Sequence, residues 1–407
     1  MSGIEAMRRG ACPSLPEPMP TGDGLLARLQ PVAPLTLEQM DGLARLASAL
    51  GNGIVEVTAR GKLQLRGLSP ETAGRLEAGV AALGIDLPTG FPVEISALAG
   101  LDPGELADPR PLAEAVGQGA AGLVPRLAPK ASVVVDAGGV LSLAALKADI
   151  AATAQADGWR IALAGREAGF SPSARAASVI LTLLQNLAEE GPAARMGDLV
   201  GRDGIAALAA RVGLLPMPPA PVRRHVDPVG LHPLTDGTVA LGIGLAFGQV
   251  TADRLAALVT AARGAGVRMV EPAAGRALLL VGFAAERAES LKTEAARLGF
   301  LTNPADPLRR VAACAGQPAC ASARIETHAL ARDLAPLLGA GELHVSGCIK
   351  GCAHPAPARL TIVGLDEGVG LVVEGTPRTV PARILPRHPL PMAGLREAVA
   401  ALIEKGD

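Results

Sequence analysis

Apolar positions across residues 36–50 recur at helical spacing, with Leu37, Met40, Leu43, Ala44 and Ala47 on one face. A β-rich stretch follows, then a second amphipathic helix. The same order returns 215 positions later, where residues 36–86 align with 251–301 without a gap. Thr36/Thr251, Gly51/Gly266, Glu56/Glu271, Gly67/Gly282, Glu71/Glu286 and Gly84/Gly299 coincide. An apolar strand precedes each copy, at Gly24–Leu29 and Thr238–Leu245. Each copy thus reads β-α-β-β-α, a ferredoxin-like half-domain, and the pair predicts a pseudo-twofold domain. A period this long marks a duplication and not a solenoid.

Each copy is followed by an α/β stretch with short buried strands. These are predicted at Ser132–Val135 and Ile161–Ala164 in the first, and at His344–Ser346 and Leu360–Val363 in the second. A Pro-rich connector around Leu215–Pro221 separates the halves. The expected fold class is α+β: duplicated ferredoxin-like half-domains plus two α/β domains. The expected boundaries are 1–90 for half-domain 1, 91–215 for α/β domain 1 and 216–227 for the linker. Half-domain 2 is expected at 228–305 and α/β domain 2 at 306–407.

The copies differ in polarity at one strand. From Lys62 onward, Lys62, Gln64 and Arg66 share one face and Leu63 and Leu65 the other. Arg60 joins that face if Gly61 does not turn the chain. The second copy carries Ala273-Ala274-Gly275-Arg276-Ala277-Leu278-Leu279-Leu280, with an apolar face. Two readings stand: a solvated edge strand with gatekeeper charges, or one ligand site per chain with the second copy as scaffold.

Composition narrows the classes. The chain has 407 residues, 49% of them apolar, so a substantial core is available. Five Phe, one Trp and no Tyr nearly exclude aromatic platforms for single-stranded nucleic acid. A net charge of −1 argues against a phosphate-tracking surface, so no nucleic-acid partner is expected. Lysine is scarce beside arginine, which a GC-rich genome also produces, so each Arg is judged by position. Residues 1–13 hold Glu5, Arg8 and Arg9 and lack an apolar targeting segment. The uncharged run Gly237–Ala252 is too short and Gly-broken to span a bilayer. A soluble, cytoplasmic protein without a membrane partner is expected.

The cysteines supply the chemistry. Four of five lie in 39 residues, as Cys314-x5-Cys320 and Cys348-x3-Cys352. Clustered thiolates without a secretory signal favour an iron–sulfur cluster. Structural zinc, which prefers tighter C-x2-C knuckles, and unligated buried thiols are the alternatives. Small flanking residues (Ala315-Gly316, Gly347, Gly351) allow loops to approach a cluster and donate backbone N–H groups to it. Cys12 lies outside this set and reads as a small buried hydrophobe or as a residue near the site.

C-x5-C followed by C-x3-C resembles the cluster motif of the sulfite and nitrite reductase superfamily, whose 4Fe-4S cluster is coupled to sirohaem. The order of repeat, α/β unit, repeat, α/β unit resembles that superfamily too. The resemblance implies that Cys314, Cys320, Cys348 and Cys352 hold a 4Fe-4S cluster, with Cys352 at the position that bridges to a tetrapyrrole iron. Thr58-x-Arg60-x-x-x-Gln64 resembles the tetrapyrrole-binding strand, and Arg28 matches a second carboxylate-binding arginine. Leu127-Ala128-Pro129-Lys130-Ala131-Ser132 resembles the L-P-R-K-F-K segment of the reductases. Ser132 replaces its second lysine, which argues against sulfite or nitrite reduction. Three segments are similar instead to the precorrin-3B synthases, an oxygen-dependent branch: Arg8-Arg9-Gly10-Ala11-Cys12-Pro13, Met19-Pro20-Thr21-Gly22-Asp23-Gly24 and Gly347–Pro355.

That branch implies a monooxygenase of aerobic cobalamin biosynthesis. It hydroxylates precorrin-3A at C20 and closes a γ-lactone from the ring A acetate, using O2 and NADH. The tetrapyrrole is then substrate, and sirohaem belongs only to the alternative, a sulfite or nitrite reductase. Arg28, Arg60, Lys62, Gln64, Arg66 and Lys130 become the candidate substrate-binding residues, with Arg8 and Arg9 behind them. Gly242-Ile243-Gly244 lacks the third glycine of a dinucleotide fingerprint, because Phe247 stands there. An external electron-donating reductase is therefore expected. Oxygen activation calls for a second mononuclear iron or an equivalent centre. His354 is the candidate catalytic side chain, against the alternative of a loop His bonded to backbone. His225, His232, His328, His344 and His388 show no ligand spacing.

Overall fold

The computed structural model describes residues 13–218, 226–339, 341–387 and 392–404. Arg8, Arg9, Cys12, His225, His388 and part of the Pro-rich connector lie outside the described residues.

Four five-stranded sheets organise the described residues. The first-copy sheet runs in the order Met19–Thr21, Gly24–Leu29, Leu63–Leu68, Ile54–Val57 and Gln249–Thr251. The second-copy sheet runs Gly230–Pro233, Val239–Gly244, Ala277–Phe283, Met269–Ala273 and Leu35–Thr36. Each sheet is therefore completed by a short strand from the other copy: Val250 pairs with Val55, and Leu35 with Val270. The internal registers repeat as well. Glu56 stands opposite Gln64, and Glu271 opposite Leu279.

Four helices cover one side of this pair: Leu37–Leu50, Pro70–Ala82, Ala252–Ala265 and Ala288–Arg297. Thr36 caps the first helix by a capping box with Gln39, and Thr251 accepts from Arg254 N–H at the matching position. Leu43, Leu63, Leu65, Leu255, Leu278 and Leu280 share one core, so the copies are welded by burial as well as by strand exchange. Gly67 and Gly282 both adopt left-handed φ, at 70° and 81°. A side chain at either would also strike Asn52 or Arg268.

The α/β units each hold a mixed sheet. The first orders Arg166–Pro172, Gly158–Leu163, Ile150–Gln155, Val133–Asp136 and Val93–Ile95. The second orders Val311–Ala313, Leu343–Ser346, Ala358–Gly364, Val369–Gly375 and Arg383–Leu385. Several predicted strand ends shift. Thr238 and Leu245 fall outside Val239–Gly244, and Leu343–Ser346 and Ala358–Gly364 extend beyond the predicted spans. Ser132 lies outside its strand, its N–H donating to Asp149, and Ala164 enters a left-handed turn at φ 48°. No described helix is long and apolar enough to cross a membrane.

The two copies meet the α/β units differently. The outer face of the second-copy sheet (Ala240, Ala277, Leu279 and Val281) packs against Leu98 and Leu141 of the first α/β unit and against Leu234. Glu271 lies in this sheet with one carboxylate oxygen sealed from solvent and unpartnered. Its counterpart Glu56 has Arg66, but Val281 occupies that position in the second copy. Burial pushes the Glu271 carboxyl up from 4.5 to about 8. An acid with a raised folded-state pKa binds its proton more tightly folded than unfolded. Its contribution is intact below the unfolded value and fades as pH climbs toward the folded one. Wild type should therefore lose stability relative to Glu271→Gln as pH rises from about 4.5 to about 8. Melting temperatures of both proteins across that range test this; parallel profiles would refute it.

Candidate functional site

Two parallel strands, Val311–Ala313 and Leu343–Ser346, end side by side and deliver the cysteine loops. Cys314 N–H donates to Val345 O at 3.4 Å, and Gly347 N–H donates to the Cys314 Sγ at 3.2 Å. Gly316 turns with φ 64°, where a side chain would strike Thr327, and its carbonyl accepts from Cys320 N–H at 2.8 Å. The Ser346 hydroxyl donates to Cys348 O at 2.7 Å, which holds the start of the second loop.

The Cys320 loop rests on the first-copy hairpin. Ala321 N–H donates to Gly22 O at 3.1 Å, and a Cβ on Gly22 would sit 2.2 Å from the Cys320 Sγ. Burial pushes the Cys314 and Cys352 thiols up, and the other cysteines of the group push both further. Cys314 and Cys352 therefore each lie close enough to other cysteines of the group for their charges to interact. Soft donors, an N–H bond to sulfur and a side-chain-free approach at Gly22 fit an iron–sulfur cluster. Among the described residues no three His, Cys, Asp or Glu side chains converge to hold a single metal ion. No step is assigned to a second mononuclear iron.

The first-copy sheet presents its polar face beside these loops. Arg66 grips Asp23 with two bonds of 2.9 and 2.8 Å and Glu56 with one of 3.0 Å. Asn52 adds a bond of 3.2 Å to Asp23. Burial opposes the charge on Asp23, yet Arg66 holds its carboxyl below the usual range. Burial dominates at Glu56 and pushes it up, against the pull of Arg66. Arg60 and Lys62 both pair with Glu94, at 2.6 and 3.1 Å, and Arg60 also donates to Lys147 O. Gly61 does turn the chain, with φ 77°.

Arg60 and Lys62 share Glu94, and Arg66 pairs with Asp23 and Glu56, partners distant in sequence or on neighbouring strands. Arg28 instead meets the neutral amide of Gln64. Lys130 is exposed in the turn before Val133–Asp136. Lys350, on the second cysteine loop, donates to the Ser322 hydroxyl at 2.9 Å and makes no ion pair among the described residues. It escaped sequence reasoning because a single lysine carries no spacing signal.

A cavity of about 350 Å³ opens between this face and the first cysteine loop. Asp23, Asn52, Arg66, Gln249, Gln317, Glu326 and His328 help line it. His328, without ligand spacing in sequence, stacks on Phe247 at 4.5 Å, and its Nε2 is buried without a partner. Burial, and then Arg332, lower its pKa to about 4. His354 lies edge-on to the fully buried His344 at 5.7 Å. His232 is structural, with Nε2 2.9 Å from Pro228 O.

Comparison with known proteins adds the following. Residues 17–83 match the family described as nitrite/sulfite reductase ferredoxin-like half domain. A precorrin-3B synthase of Sinorhizobium sp is 41% identical over 396 residues, spanning 93% of this chain and 86% of the relative. A sulfite reductase (ferredoxin) 1 of Mycolicibacterium paratuberculosis is 26% identical over 171 residues, 39% of this chain and 31% of that protein. The structure of the Mycobacterium tuberculosis NirA protein superposes with a TM-score of 0.72 at 19% identity, covering 92% of this chain and 79% of that one. That superposition shows a shared fold.

Two outcomes test the geometry. Gly22→Val, which must displace Cys320, should lower iron and acid-labile sulfide after anaerobic reconstitution. Gly74→Ala, which points into open space, should leave both unchanged. Equal iron in the two variants would count against a cluster held on Cys320. Glu94→Gln removes the shared partner of Arg60 and Lys62 and should cost about 2 kcal/mol in denaturant unfolding.

Proposed function

The chain belongs to the precorrin-3B synthase family, and on that premise we propose that it is a monooxygenase converting precorrin-3A to precorrin-3B. The overall change is hydroxylation at C20 with closure of a γ-lactone by the ring A acetate. One atom of O2 enters the product and the other leaves as water. NADH supplies two electrons through an external reductase, since the dinucleotide fingerprint is incomplete.

One observation carries this reading: the Cys320 loop of the four-cysteine group rests against the hairpin of the first-copy sheet, which has the only polar outer face of the duplicated sheets among the described residues, while the equivalent second face is filled by Leu98, Leu141 and Leu234. A chain with one such face has room for one macrocycle. Cys314, Cys320, Cys348 and Cys352 would hold a 4Fe-4S cluster, which when bound supplies electrons singly. The remaining work falls to the chain's own side chains. A polycarboxylate macrocycle needs cations at fixed separations, and guanidinium forks orient as well as attract. Among the described residues Arg28, Lys130 and Lys350 are cations that make no ion pair, and Arg28 lies on this face. Arg60, Lys62 and Arg66 are locked by ion pairs and shape the floor. Correct orientation matters because only one meso carbon reacts.

Incubating the reconstituted protein with precorrin-3A, a reductant system and labelled O2 tests the proposal. The product should gain the mass of one labelled oxygen atom. Sirohaem absorption in the purified protein, with sulfite or nitrite reduction and no oxygen incorporation, would overturn it in favour of the reductase reading.

A further inference from the structure

Across four adjacent strands of the first-copy sheet, Arg28, Gln64, Glu56 and Gln249 stand directly opposite one another. Side chains that are direct cross-strand partners lie on the same face. Gln64 is buried at the centre of this row, only 4% exposed. A primary amide offers two different ends, an oxygen that accepts and a nitrogen that donates, whereas a guanidinium only donates and an ionised carboxylate only accepts. One orientation satisfies both neighbours: Nε2 donates to Glu56 Oε1 at 3.3 Å, and Oε1 accepts from Arg28 Nη2 and Nε at 2.7 and 2.8 Å. The opposite orientation would set oxygen against carboxylate and NH2 against guanidinium. Glu56 is itself immobilised, because its other oxygen takes Arg66 at 3.0 Å and Gln249 at 3.4 Å.

This row treats Arg28 unlike its neighbours. Arg60 and Lys62 are ion-paired to a shared Glu94, and Arg66 to Asp23 and Glu56. Arg28 makes no ion pair among the described residues; it is clamped by a neutral acceptor and keeps its charge. The second copy lacks the device. Its glutamate faces Leu279, and Gly242 stands opposite Leu279 where Arg28 stands opposite Gln64.

We propose that Glu56 is a positioning residue that acts through Gln64, fixing the amide so that Arg28 is held without being neutralised and can take a carboxylate of the tetrapyrrole. This rests on the proposed function, and gives Glu56 a role in binding an anion that it does not touch. A carboxylate next to an anion site would ordinarily weaken it; here one intervening amide turns that carboxylate into a brace.

A double-mutant cycle on the full, cluster-reconstituted chain tests this, using anaerobic fluorescence titration with uroporphyrin III, an octacarboxylate tetrapyrrole. Arg28→Met should weaken binding about tenfold or more, as expected for one charge-assisted contact. Glu56→Gln should weaken it about threefold to tenfold, and Arg28→Met/Glu56→Gln should bind no more weakly than Arg28→Met, because coupled residues are non-additive. Gln64→Leu, which keeps the Glu56–Arg66 pair, should show the same coupling and serves if Glu56→Gln fails to fold. The proposal is overturned if the Glu56 or Gln64 variants lower affinity by an undiminished factor in the Arg28→Met background, or leave affinity unchanged. Failure of the wild type to bind uroporphyrin III would instead count against the functional reading, and this proposal would fall with it.

Discussion

Two short strand exchanges set the terms for the rest of the molecule. Leu35–Thr36 completes the second-copy sheet and Gln249–Thr251 the first. Side chains alternate along a strand, so a slip of one residue would exchange the faces. These edge pairings, together with the leucines buried beneath, fix which residues point outward in both copies. Gln64 and Arg66 face outward in the first copy for the same reason that Leu279 and Val281 do in the second.

Once the faces are fixed, their difference in polarity decides what can dock on each. Apolar side chains on the second-copy face are covered by leucines from the first α/β unit, which closes that face by ordinary burial. The first-copy face carries too many buried polar groups for such a cover. It satisfies them laterally instead, through Asp23, Glu56, Glu94 and the Gln64 amide. Glu271 shows what remains when one partner is lost: a carboxyl that survives burial by staying protonated.

Much of the fold was legible because duplication writes the pattern twice. The helix beginning at Leu37, the strand Gly24–Leu29 and the apolar character of Ala277–Leu280 all follow from periodicity. The grouping of four cysteines was legible from spacing. The state of the cations was not. Sequence displays Arg60, Lys62 and Arg66 on one strand but hides the counter-ions, since Glu94 lies 34 residues from Arg60 and Asp23 lies 43 from Arg66. Only tertiary pairing distinguishes a charge offered to a ligand from one spent within the fold. His328 was hidden for a related reason: its place beside the first cysteine loop depends on the packing of Phe247 from the second copy. Strand ends at Ser132 and Ala164 were misplaced by single residues where side-chain bonding and turn geometry override propensity.

The contact between Gly22 and the Cys320 loop has a mechanical side. The hairpin turn near the start of the chain and a thiol some three hundred positions later share one interface, closed by a backbone hydrogen bond and by the missing Cβ. The Cys320 loop is thus a strut between the first-copy hairpin and the second α/β unit. Oxidative damage there would loosen the first-copy hairpin along with the loops, exposing backbone that proteases can reach. Such damage would register as lost protein as well as lost turnover.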